Sequence, residues 1–162
     1  MMNIHGTMNT LAGPKELVLL DLDGTLCDSA HRVHLAQNKD WDGFHSLLVE
    51  DQPNYDIVWF LANLPPFAEV VVVTGRPEKW RKATEEWLAK HGLSAYVDEM
   101  LMRPDHDYRQ DHELKVAMLD ETFGSREEWT RRTMFALDDR DKVVEAYRNA
   151  GVVCWQVRQG TY

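Results

Sequence analysis

Cysteine is scarce in this chain of 162 residues: only Cys27 and Cys154 occur, far apart and outside any Cys-x-x-Cys or Cys/His cluster. That pattern excludes a disulfide framework and a cysteine-based zinc site, and it fits a reducing compartment. No apolar stretch is long enough to span a bilayer, so the sequence carries nothing that anchors it to a membrane. Residues 1–13 lack the basic and apolar segments of a secretion signal; they read as a loose tail, and Met8 is a second candidate start. The expected location is the cytoplasm. Positive charge is also short. Lys and Arg total 18 against 27 Asp and Glu, a formal net charge of −9. A surface of that sign repels polymeric phosphate, so any nucleic acid is expected to be met at its end, or the substrate is small. His31 and His34 come nearest to metal-ligand spacing, but with no second ligand pair they read as ordinary helix residues. The length suits one domain able to bury its own core.

Against these shortages stands one dense feature. The apolar run Leu17-Val18-Leu19-Leu20 is followed at once by Asp21-Leu22-Asp23-Gly24-Thr25. A short, wholly apolar run reads as a strand buried on both faces, as in a parallel sheet. Its two carboxylates therefore emerge at the strand's carboxyl end, where open α/β folds bind ligands. Gly24 lets the backbone turn sharply there. Two further apolar runs end in the same manner. Val70-Val71-Val72-Val73 stops at Thr74-Gly75-Arg76, and Met134-Phe135-Ala136-Leu137 stops at Asp138-Asp139-Arg140. Between them, Asp111 to Lys115 opens an apolar-periodic helical segment with a lysine near its start.

Strands are expected at 16–22, 68–73, 97–102, 134–138 and 152–157. Helices are expected over Glu78–Lys90, closed by Gly92, and over Arg140–Ala150, closed by Gly151. Strands alternating with helices imply right-handed crossovers and a parallel sheet covered on both faces. The fold class is a three-layer, Rossmann-like α/β domain over 14–162. Residues 28–66 exceed what a plain crossover needs and offer short helices around Ala30–Gln37, around Trp41–Val49, and opening near Pro53 in a first helical turn. This small helical insertion after the first strand either caps the cleft or covers one face of the sheet.

The ordered set Asp-x-Asp, Thr, Lys and Asp-Asp resembles the four motifs of the haloacid-dehalogenase superfamily of phosphotransferases, from about Leu17 to the end. Receiver domains of two-component signalling place their acidic pair first, glycosyltransferases need neither the lysine nor a later Asp-Asp, and Gly24 comes too early for an EF-hand loop. The resemblance implies a Mg2+-dependent phosphatase. Asp21 would be the nucleophile that forms an aspartyl-phosphate. Asp23 would be general acid and base, needing a raised pKa while Asp21 stays ionised. Mg2+ would be held by Asp21, the Asp23 carbonyl and the Asp138-Asp139 pair, with Asp139 favoured as the direct ligand. Lys115 and Thr74, with Thr25 and Gly75, would hold the phosphoryl oxygens.

Finer likeness bears on the substrate. The segments around Thr74-Gly75-Arg76, Tyr108-Arg109-Gln110-Asp111, Leu137-Asp138-Asp139-Arg140 and Cys154-Trp155-Gln156-Val157 are similar to the 3′-phosphatase domain of phage-type polynucleotide kinase/phosphatase. The Trp-Gln-Val segment is the most specific, since catalysis alone gives no reason for it. By position Arg32 and Arg76 match that family's active-site arginines, implied to contact the scissile phosphate or its neighbour through a planar fork. The expected substrate is a 3′-phosphate on a nucleotide or nucleic-acid end; the alternative is a general nucleotide or small-molecule 5′-phosphatase. No Gly-x-x-x-x-Gly-Lys-Ser/Thr loop occurs in the chain, so the kinase half of that family is missing from it and a separate kinase is a candidate partner. Arg76, Lys79, Arg81 and Lys82 form either a basic stripe or the solvated face of a helix.

Overall fold

In the computed structural model, which describes residues 15–160, the expected strands assemble into one parallel sheet. The chain order is β1 (Glu16–Leu20), β2 (Cys27–Asp28), α1 (Val33–Gln37), α2 (Trp41–Ser46), β3 (Gln52–Pro53), α3 (Tyr55–Ala62) and β4 (Ala68–Pro77). There follow α4 (Arg81–Lys90), β5 (Glu99–Arg103), α5 (Asp111–Phe123), α6 (Arg126–Arg132), β6 (Thr133–Asp138), α7 (Asp141–Asn149) and β7 (Cys154–Gln156). The sheet runs β5-β4-β1-β6-β7, with every pairing parallel. β1 is central, which is why its four apolar residues are at most 1% exposed.

Strand alternation divides the core into two layers. Leu17, Leu19, Val71 and Val73 face Leu114, Trp129, Val143 and Tyr147, from α5, α6 and α7. Val18, Leu20, Val70 and Val72 face Ile57, Leu61, Trp87 and Leu88, from α3 and α4. A helix layer on each side of a parallel sheet is the expected three-layer architecture. Gly92 and Gly151 follow α4 and α7 with positive φ, as expected of their closing position.

Several local expectations are corrected. Pro53 is not in a first helical turn: Gln52–Pro53 pairs antiparallel with Cys27–Asp28, and α3 opens two residues later after Asn54. Hydrogen bonds to the turn after β1 decide this, because Asn54 donates its N–H to the Leu26 carbonyl at 2.8 Å and its side-chain amide to the Thr25 carbonyl at 2.7 Å. The first strand ends at Leu20 and the last spans three residues. The helix after β4 opens with a tight 3-10 turn, Glu78–Trp80. Helix α6 was not expected; Ser125 caps it by accepting the Glu128 N–H. The proposed tail 1–13 lies outside the described residues. Within the insertion, α3 packs on the sheet, and residues of α2 line the cleft over the strand ends. No helix among the described residues is long and apolar enough to cross a membrane.

Candidate active site

Two neighbouring strands, β1 and β6, deliver the acidic motifs to the carboxyl end of the sheet. Asp21 directly follows β1, and its N–H still bonds the Leu137 carbonyl of β6 at 3.0 Å, so the first carboxylate is fixed beside the last pair. Asp138 ends β6 and Asp139 follows. Lys115, in α5, reaches between them, with Nζ at 2.6 Å from Asp21 Oδ1 and 2.7 Å from Asp138 Oδ2. The second Asp138 oxygen accepts the Arg140 N–H at 3.0 Å. Asp139 differs: its Oδ1 is buried with no hydrogen-bond partner. Its carboxylate lies over Gly24, which has φ +82° and where any Cβ would collide with it.

Desolvation dominates this cluster. Burial lifts the Asp21 carboxyl well above the usual range despite the opposing charge of Lys115. Burial and then the Asp138 charge push Asp139 up to about 7. Burial opposes the charge on Lys115, but the Asp138 and Asp21 carboxylates outweigh it and raise its pKa well above the ordinary lysine value. Three buried carboxylates thus share one ammonium, and their ligand atoms lie within 4.8 Å of one another. Excess negative charge, hard oxygen donors and an unpartnered buried oxygen are the features a divalent cation of the Mg2+ class satisfies.

Asp23 sits in the opposite environment. Arg76 grips it with both arms of its fork, Nη2 at 2.6 Å from Oδ1 and Nε at 3.0 Å from Oδ2. Arg32 donates to the same oxygen Oδ1 and binds Asp51 Oδ1 through Nε at 2.7 Å. Burial alone would raise the Asp23 pKa, but the Arg76 and Arg32 charges overturn that and hold it far below the usual carboxylate range. The expected pKa order of the two aspartates is therefore reversed: the arginines keep Asp23 ionised, while Asp21 feels mainly burial. Both guanidiniums are fully buried, with donors turned onto Asp23 and Asp51 rather than toward an open phosphate site. In this arrangement the two arginines hold Asp23 and Asp51.

Of the other expected residues, Thr74 is buried and its Oγ1 accepts the Arg76 N–H at 3.2 Å, which shapes the turn. Thr25 is fully buried, and its hydroxyl has no partner. Gly75 lines the cleft, where a Cβ would press on the Asp111 carboxylate at 3.0 Å. His31 bonds Asp51 at 2.9 Å, and among the described residues neither it nor His34 belongs to a group able to hold a metal. Arg76, Lys79, Arg81 and Lys82 form no open basic stripe. The first is buried, and the others pair with Asp42, Glu78 or Glu86.

Asp51 was not singled out in the sequence, and the roles of Asp111 and Gln156 were not legible there. Asp51 anchors both arginines, Asp111 pairs with Arg103 and Arg140 at the cleft, and Gln156 donates to the Asp139 carbonyl at 2.9 Å. Gln156 also binds Asp141 at 2.6 Å, while Trp155 stacks on Phe135 with centroids 4.8 Å apart. The Trp-Gln-Val segment therefore has a structural task after all: it fixes the backbone that carries Asp139. Cys27 is buried, and burial lifts its thiol well above the normal range, so it is no nucleophile.

Asp21 and Asp23 open into a cleft of about 780 Å³ lined by α2 and its approach and by the loop before α5. Compared with known proteins, residues 15–162 match the family described as the polynucleotide kinase PNKP phosphatase domain. A chain of the Pnkp1/Rnl/Hen1 RNA repair complex superposes with a TM-score of 0.74 at 28% identity, covering 91% of this chain and 44% of that one. A second Pnkp1/Rnl/Hen1 structure gives 0.73 at 29% identity, covering 94% of this chain and 48% of that one. This chain thus spans less than half the length of either. A HAD-superfamily hydrolase from Geobacter sulfurreducens PCA shares the fold, with a TM-score of 0.59 at 13% identity over 90% of this chain and 88% of its own.

Proposed function

The chain belongs to the family of polynucleotide kinase PNKP phosphatase domains and is a haloacid-dehalogenase-type phosphatase, and on that premise we propose that it hydrolyses 3′-phosphomonoesters at nucleic-acid or nucleotide ends, using Mg2+ and an aspartyl-phosphate on Asp21. The observation that carries the proposal is the buried cluster of Asp21, Lys115, Asp138 and Asp139, which has a buried unpartnered oxygen on Asp139 and meets the cleft through Asp21.

An Asp21 oxygen attacks phosphorus as the bond to the leaving oxygen breaks, and the leaving oxygen takes a proton from Asp23. Water then attacks the same phosphorus, giving its proton back to Asp23 and freeing the Asp21 carboxylate. The resting Asp23 is ionised by its arginines; a phosphoryl dianion arriving beside it adds like charge, which raises its pKa so that it takes up a proton from solvent before giving it to the leaving oxygen. Lys115 neutralises charge on the nucleophile. Mg2+ would be held by Asp21, the Asp23 carbonyl and Asp139, with Asp138 supporting, and would offset the charge between nucleophile and phosphate.

Two expectations follow for the metal. Asp139 near pH 7 means that protons compete with Mg2+ below that pH and not above it, so calorimetric affinity for Mg2+ is expected to fall between pH 8 and pH 6. A pH-independent affinity would contradict this. Gln156→Leu removes the amide that fixes the Asp139 carbonyl; it is expected to weaken Mg2+ binding by roughly 10-fold while kcat at saturating Mg2+ is largely kept.

The 3′ preference rests on family membership and on similarity to chains of an RNA repair complex. That similarity also supports work beside separate partners, a kinase among them. Two buried free cysteines suit a cytoplasmic setting. Matched 3′- and 5′-monophosphates, as mononucleotides and short oligonucleotides, test the preference. The 3′ forms are expected to be favoured at least tenfold in kcat/KM, and a clear 5′ preference defeats this specificity while leaving the phosphatase chemistry intact.

A further inference from the structure

The two lips of the cleft carry the same three-residue device. Lys39-Asp40-Trp41 lies on the insertion side and His106-Asp107-Tyr108 in the loop before α5, and all six residues line the cleft. Each triplet begins with a left-handed backbone, φ +62° at Lys39 and +68° at His106; among the described residues no other non-glycine has positive φ. Each middle aspartate closes a local turn, Asp40 accepting the Gly43 N–H and Asp107 the Arg109 N–H, both at 2.9 Å. Each triplet then shows an aromatic ring to solvent, Trp41 49% exposed and Tyr108 87% exposed.

Left-handed backbone is unfavourable for a residue with a Cβ, and such strain gathers at ligand clamps. Exposed aromatic rings on both lips of a phosphatase cleft offer π-faces to a planar group, and a nucleobase is the planar group attached to a sugar phosphate. Charge sets how much of a strand fits. Lys79 is tied to Asp42 at 2.6 Å, Arg109 to Asp107 at 2.6 Å, and Arg103 to Asp111. The Lys39 ammonium has no partner among the described residues.

We infer that Trp41 and Tyr108 clamp the terminal nucleobase of a single-stranded 3′ end, with Lys39 taking the phosphodiester on its 5′ side. This deepens the phosphatase reading of the Asp21 site and rests on it. One unpaired cation among lip carboxylates accommodates one backbone phosphate and repels the next. A base still stacked in a duplex cannot offer both faces to the lips.

The test compares kcat/KM for a 3′-phosphorylated trinucleotide and for the same molecule with an abasic 3′-terminal sugar. Wild type is expected to favour the base-bearing form by tenfold or more. Tyr108→Ala and Trp41→Ala should each collapse that ratio several-fold, chiefly through KM, and Tyr108→Phe and Trp41→Phe should restore it. Lys39→Ala should lower the log–log salt slope on the trinucleotide by about 0.7, as for one released single-strand counterion, and leave the slope on a 3′-mononucleotide unchanged. No base preference in wild type, or equal losses on both substrates in both alanine variants, overturns the clamp; an unmoved salt slope overturns the role of Lys39. A parallel pair, a 5′-mononucleotide and ribose 5-phosphate, separates the two readings. Trp41- and Tyr108-dependent base preference on that pair, with 3′ ends ignored, defeats the 3′ assignment and upholds base stacking. Efficient 3′ hydrolysis without base preference does the reverse.

Discussion

Asp21→Asn is expected to reduce phosphatase turnover by roughly four to six orders of magnitude, the scale of losing a nucleophile, while the protein keeps its fold. The amide is nearly isosteric with the carboxylate and cannot form an acyl-phosphate. Lys115 keeps Asp138 as a partner at 2.7 Å, so its charge is not stranded. Stability should change little or rise, because the substitution removes one of three mutually crowded buried carboxylates, of which two pair with the single Lys115 ammonium. Single-turnover rates and a urea midpoint check both halves. Activity above a few per cent of wild type, with the variant folded, would exclude Asp21 as nucleophile.

Arg76→Ala should fail in two ways at once. The guanidinium is fully buried and grips Asp23 through both oxygens, with further donors on Thr84 and Asp51. Its loss leaves buried carboxylates dependent on Arg32 alone, a change expected to cost on the order of 3–5 kcal/mol of stability. Misplacement of Asp23 should cost a further ~2–4 kcal/mol in transition-state stabilisation, about 30- to 1000-fold in kcat/KM. Arg76→Lys restores the charge but not the fork, so it should recover stability more than activity. A urea midpoint and kcat/KM near wild type for Arg76→Ala would show that the arginine pair does not position Asp23.

The central strands were legible because burial on two faces demands uninterrupted apolar residues, as in Leu17 to Leu20 and Val70 to Val73. Their acidic ends were legible because phosphoryl chemistry needs carboxylates and a lysine, and because their order along the chain matches the motifs of the haloacid-dehalogenase superfamily. Pairings two residues long carry no periodicity, which hid β2 and β3 and made Pro53 look like a helix start. Helix α6 did carry a signal, Ser125 followed three residues later by Glu128, and it went unread beside the polar run Arg126 to Arg132. Asp51 had none. One acid in an insertion acquires meaning only when Arg32 and Arg76, 19 and 25 positions away, fold onto it. The reversed pKa order of Asp21 and Asp23 has the same origin: chain proximity makes the two look alike, and residues distant in sequence make them differ.

The central claim is that Asp21 carries the phosphoryl group between substrate and water. Rapid acid quench of enzyme mixed with a 3′-phosphorylated nucleotide in Mg2+, followed by borohydride reduction and peptide mass spectrometry, reads that step directly. The account predicts reduction of residue 21 alone, to homoserine, with the signal lost in Asp21→Asn and in excess chelator. An unmodified Asp21 during demonstrable turnover, or reduction at another carboxylate such as Asp23 or Asp139, would contradict it.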